Sequence, residues 1–74
     1  MSDGLRPYDP QRIGEYVLFL VEDGHCKFGK IVAPEYAAGE FIGYTVWSEA
    51  EQVNYVRVKQ RRDGNWKMIP IKLS

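Results

Sequence analysis

The sequence predicts an all-β fold, a small five-stranded antiparallel barrel with one short helical turn. Short segments rich in β-branched and aromatic residues recur along the 74-residue chain. Turn-forming Gly, Pro and Asp-Gly positions separate them, and no long amphipathic helical period runs through any of them. Strands of this length joined by tight turns bury their apolar faces by closing on themselves or pairing as two sheets. The length allows one domain with a thin core. Hydrophobic residues at 45% and aromatics at 14% are too much apolar content for a disordered segment, so the chain is expected to fold.

Residues 1–12, punctuated by Gly4, Pro7 and Pro10 and without an apolar period, read as a flexible N-terminal tail, leaving 13–74 as the barrel domain. Gly14 to Glu22 reads as the first strand, Asp23-Gly24 as a two-residue hairpin turn, and Cys26 to Ala33 as the returning strand. Pro34 to Glu40 reads as a loop. Phe41 to Trp47 has the composition of a pleated, half-buried third strand. Ser48-Glu49-Ala50-Glu51 has capping-box spacing and is the place expected for the helical turn.

Val53 to Gln60 and Trp66 to Leu73 flank a second Asp-Gly, at 63–64. A two-residue turn there would pair Val58 with Ile69 and Val56 with Ile71 on an inner face. The outer face would pair Tyr55 with Lys72, Arg57 with Pro70, Lys59 with Met68 and Arg61 with Trp66.

Net charge is zero, but its distribution is uneven. Residues 1–51 hold nine acids against four bases, and residues 52–74 six bases against Asp63 alone. That asymmetry points to an electrostatic surface on the C-terminal hairpin. The longest apolar run, Tyr16 to Val21, is far short of the roughly 20 residues a membrane-spanning helix needs. The first residues carry neither a basic leader nor an apolar signal core, so a cytoplasmic location is the default expectation.

Cys26 is the sole cysteine and His25 the sole histidine. An internal disulfide and a multi-thiolate zinc site are thereby excluded, and no metal or cofactor is expected. As neighbours on a strand the two residues point to opposite faces and cannot act together as nucleophile and base. The carboxylates fall in turns and loops, without the apolar surroundings that acid–base chemistry needs, and the glycines never form a phosphate-cradling run. No catalytic residues are assigned.

The candidate partner-binding residues are Tyr55, Arg57, Lys59, Arg61, Trp66, Met68 and Lys72, the predicted outer face of the last hairpin. Interleaved bases and aromatics suit a nucleic-acid surface, where cations meet phosphates and rings stack on bases. Equally, bases on an outer strand protect against edge aggregation. A second aromatic patch, Tyr36, Phe41, Tyr44 and Trp47, could form a cage or peptide groove, or simply pack the core.

The stretch Gly14-Glu15-Tyr16-Val17, Asp23-Gly24 and Gly29-Lys30-Ile31-Val32 resembles the first hairpin of Tudor-like and other Src-homology-3-like barrels. The resemblance implies a barrel of that kind. Gly14 to Ala50 is also distantly similar to the plasmid-encoded type II dihydrofolate reductases, tetrameric barrels, through Gly14, Val17, Gly29, Ile31-Val32, Gly43-Tyr44, Val46 and Ser48-Glu49-Ala50. That family's Val-Gln-Ile-Tyr strand corresponds here to Val53-Asn54-Tyr55-Val56, and Phe19 stands where the family has its pore lysine. This likeness supports the barrel and counts against the reductase activity.

The leading expectation is a non-catalytic module that binds a protein through its loops and last hairpin, since Trp, Tyr and Arg carry interface energy. A nucleic-acid-binding barrel using the same hairpin is the alternative. A small oligomeric reductase-like enzyme, with its site formed between copies, is the second alternative. Homo-oligomer formation is open under each.

Overall fold

A computed structural model describes residues 5–69. They form one sheet of five strands closed into a barrel, in the order β1 (Tyr16–Leu20), β2 (Cys26–Ala37), β3 (Glu40–Ser48), β4 (Val53–Gln60) and β5 (Trp66–Met68). Consecutive strands pair antiparallel, and the barrel closes through a short parallel seam in which Phe19 lies beside Trp66 and Leu20 beside Lys67. The small all-β barrel is therefore as expected, and antiparallel except at this seam. Among the described residues no helix is long and apolar enough to cross a membrane.

The turns differ from expectation, and they determine the register. In both Asp-Gly hairpins the loop has three residues rather than two. Val21 N–H donates to the His25 carbonyl and Gly24 N–H to that of Val21; Arg61 N–H donates to Asn65 and Gly64 N–H to Arg61. Gly24 and Gly64 stand at φ +89° and +95°, the left-handed conformation that a type I turn followed by a bulge requires. Each aspartate completes its own turn, Asp23 Oδ1 accepting from His25 N–H at 3.0 Å and Asp63 Oδ1 from Asn65 N–H at 2.9 Å. The true two-residue turn is Ala38-Gly39, with both φ angles positive, inside the stretch expected to be a loop. β2 and β3 consequently run almost to its tip. Pro34, with no amide to donate, is carried in β2 between register shifts after Ile31 and after Glu35.

The extra loop residue moves the last hairpin by one position. Val58 pairs with Met68, Lys59 with Lys67 and Gln60 with Trp66, correcting the expected pairing of Val58 with Ile69. The expected partner of Val56, Ile71, lies outside the described residues, as do Pro70 and Lys72. A bulge in β4 compounds the change: Tyr44 and Val46 of β3 face Val58 and Tyr55, so β4 carries one residue more, and Arg57 takes φ +58°. Opposite the bulge stands Gly43 at φ +134°. A Cβ built on it would lie 2.6 Å from the Arg57 Cα, so only glycine admits this close crossing.

The core is Val17, Phe19, Ile31, Tyr44, Val46 and Val58, with Tyr8, Val21, Phe41, Tyr55, Trp66 and Met68 packed around it. Residues 5–12, expected as a flexible tail, lie along the barrel over their described length. Leu5 bridges to Arg61, Arg6 N–H donates to the Gln60 carbonyl, and the Arg6 guanidinium reaches the carbonyls of Arg61 and Arg62. Asp9 caps a 3₁₀ turn at Pro10–Arg12, accepting from Gln11 N–H, and Pro10 supplies a preset φ at its first position. Among the described residues the one helical turn is here, not at the expected residues 48–51. After β3, Glu51 N–H donates to the Ser48 hydroxyl and Gln52 N–H to the Ser48 carbonyl, a single turn that is not extended.

Candidate binding surfaces

The slipped register redistributes the residues singled out on the last hairpin, and the single basic-aromatic outer face does not form. On β5, Trp66 and Met68 turn inward against the core and Lys67 turns outward. The indole of Trp66 lies 5.7 Å from the Tyr44 ring, and Tyr55 packs edge-on to Phe19 at 5.3 Å. Arg57 sits in the bulge, donating from Nε to the Ile69 carbonyl at 3.3 Å. Lys59 extends over the Phe41 ring, 5.1 Å from its centroid, and Arg61 is an exposed turn residue with Nε 3.5 Å from Asp63. Near the turn, the outward residues of β4 and β5 are Lys59 and Lys67, directly opposite each other, while the far end of β4 exposes Val53 and Asn54.

Three of the four residues in the expected second patch do meet. Tyr36 and Phe41 pair across the β2–β3 hairpin with rings 6.0 Å apart, and Phe41 lies edge-on to Tyr44 at 4.9 Å. Tyr8 of the N-terminal segment, which the sequence did not single out, contacts all three rings. The Tyr44 hydroxyl accepts from Asp9 N–H at 2.8 Å, and burial pushes its pKa up. The cluster is thus partly core, with Tyr36 as its exposed edge. Trp47 is elsewhere, opposite Lys30 on β3.

The surface that sequence reasoning missed lies on the outside of the first hairpin. β1 alternates strictly, Val17 and Phe19 inward and Tyr16, Leu18 and Leu20 outward. The outward residues are nevertheless all large and apolar. Leu18 remains 65% exposed beside Phe28, its cross-strand partner at 54%, and Tyr16 stacks on Phe28 with ring centroids 5.6 Å apart and planes 11° from parallel. Leu20 opposite Cys26, and Val32 further along β2, extend the patch. Together these side chains present on the order of 500 Å² of surface, within the range where the largest patch on a monomer is often functional. Beyond Leu20 the face runs into a groove of about 450 Å³ where β1 meets β5, lined by Trp66, Lys67 and Asn65. The signal was present in the sequence. An unbroken apolar run, Tyr16 to Val21, marks a strand covered on both faces, whereas a half-buried strand alternates.

Charged groups form clasps at the barrel end. Lys27 donates to Glu51 at 2.8 Å and the Tyr55 hydroxyl donates to the same carboxylate, joining β2, the turn after β3, and β4. Lys27 first and Tyr55 second hold the Glu51 carboxyl below its ordinary range, and Glu51 in turn raises the pKa of both Lys27 and Tyr55. In the first turn His25 Nδ1 stands 2.9 Å from Asp23 and lowers the pKa of that carboxyl. These are local structural pairings within turns and strand ends. Among the described residues no three His, Cys, Asp or Glu side chains are grouped to hold a metal.

Compared with models of known protein families, with curated proteins and with solved structures, the chain matches none.

Proposed function

We propose that this chain is a non-catalytic protein-binding module whose contact surface is the outer face of the β1–β2 hairpin. The observation that carries the reading is the contiguous exposed set Tyr16, Leu18, Leu20 and Phe28, on a barrel whose core is already supplied by the inward residues of the same strands. Leaving such residues in water forgoes roughly 1.5–3 kcal/mol each relative to full burial, a gain that a protein partner recovers on docking. Tyr16 and Phe28 stacked on one another form a rigid aromatic anchor of the kind that dominates interface energy.

The test is affinity capture with the wild-type chain and with Leu18→Asp/Phe28→Asp, with and without nuclease. Protein bound by the wild type, a second copy included, should be lost by the double variant and be indifferent to nuclease. Equal capture by both, or capture abolished by nuclease, contradicts the reading.

One observation favours nucleic acid as a second reading. Lys59 and Lys67 are register partners on the outside of β4 and β5, two cations on one short stretch of surface, the Lys59 ammonium lying over the Phe41 ring. This reading expects binding that weakens steeply with salt and falls when Lys59 and Lys67 become Ala. Flat salt dependence removes it.

A further inference from the structure

We infer that the occupant of the β1–β2 outer face is a second copy of this chain, docked through the same face about a two-fold axis. The inference rests on the protein-binding reading of that face and names its partner.

Three features of the face make it self-complementary. The first is area. Two faces of on the order of 500 Å² each, packed together, bury at most about 1,000 Å², the lower bound for a specific interface.

The second is the placement of charge. Lys30 is on the outward side of β2 beside Tyr16, within the apolar patch, and the Glu22-Asp23 acidic turn lies at the far end of the hairpin. An axis lying in the interface, across the strands and level with the Phe19–Lys27 pair, reverses strand direction in the second copy. Lys30 of each copy then meets the acidic turn of the other, while Leu18 meets Leu20 and Phe28 meets Cys26. Such an isologous arrangement satisfies both copies at once, and it closes, so it stops at two.

The third is net charge. It is zero, so no long-range repulsion opposes the approach of identical chains. A partner of strongly basic or acidic character would gain no comparable match, because the hairpin offers both signs at opposite ends.

The experiment is sedimentation equilibrium of the full chain across micromolar concentrations, on the wild type, Leu18→Asp/Phe28→Asp, Lys30→Glu and Glu22→Lys/Lys30→Glu, each checked for folding by circular dichroism. The wild type should rise from 8.6 kDa to twice that mass. The Leu18 and Phe28 double variant should stay monomeric. Lys30→Glu should weaken dimerisation at least tenfold, and adding Glu22→Lys should restore it.

A wild type that remains at 8.6 kDa throughout overturns the second copy as occupant and leaves the protein-binding reading to its own capture assay. Doubling that persists unchanged in Leu18→Asp/Phe28→Asp overturns this face as the site of self-association, and the protein-binding reading then stands or falls by its capture assay. A charge-swapped double variant as weak as Lys30→Glu overturns the proposed arrangement.

Discussion

The first and last hairpins of this barrel are built around the same turn and present opposite surfaces. Glu22-Asp23-Gly24-His25 and Arg62-Asp63-Gly64-Asn65 share the three-residue loop, the left-handed glycine and the aspartate that accepts from the amide two residues on. Their inner faces are equivalent too, Val17 and Phe19 in one and Val58, Trp66 and Met68 in the other, all against one core. Their outer faces diverge: Tyr16, Leu18, Leu20 and Phe28 on the first, Lys59 and Lys67 on the second. What the fold needs is thus common to both, and what distinguishes them lies on the side the fold does not use. The basic exterior is what an outward strand face in water ordinarily carries, and the closed barrel leaves β5 no edge to protect. The apolar exterior of Tyr16, Leu18, Leu20 and Phe28 gains nothing from water, which is the ground of the proposed binding surface.

The largest expected effect separates the two sides of β1. Phe19→Ala removes a ring that is 1% exposed and should cost about 3–5 kcal/mol. Leu18→Ala, its neighbour in sequence, should change the stability of the dissociated chain by no more than about 0.5 kcal/mol. Urea unfolding at low protein concentration measures both, and comparable losses would mean that the outer face belongs to the core.

Next is Gly43→Ala, which must displace the Arg57 backbone and adopt φ +134°; a loss of about 1–3 kcal/mol is expected by the same measurement. The twin turns should then behave alike. Gly24→Ala and Gly64→Ala should each cost about 1 kcal/mol, since both must hold a left-handed backbone. A marked inequality would show that the turns are not equivalent.

The smallest effect is electrostatic. Glu51 has a folded pKa below its unfolded one, so its contribution is present above the ordinary carboxyl range and is lost as pH falls through the folded value. Tyr44 is the reverse case. Its raised pKa gives a contribution present up to about pH 10 and lost as pH rises through the folded value. Thermal melts against pH should show the acid limb flattened in Glu51→Gln and the alkaline limb flattened in Tyr44→Phe. Unchanged limbs would remove these assignments.

Strand composition and turn punctuation made the barrel legible, because β-branched and aromatic runs between Gly and Asp have few other solutions. The face of the last hairpin was not legible. Asp-Gly suits both two-residue and three-residue loops, and the choice between them reverses which of Lys67 and Trp66 points inward. The β4 bulge depends on Gly43, more than a dozen residues away, meeting Arg57, a contact with no local signature. Tyr8 joins the aromatic cluster through tertiary packing alone. The exposed first hairpin was written plainly in Tyr16 to Val21, but as a departure from alternation rather than as a motif.

The most direct test uses Cys26, which is exposed and lies on the candidate face opposite Leu20. Its rate of modification by a maleimide should fall as the concentration of the folded chain rises through the range of association. It should stay fast at every concentration in Leu18→Asp/Phe28→Asp. A wild-type rate that does not change with concentration would contradict the claim that this face is covered by a second chain.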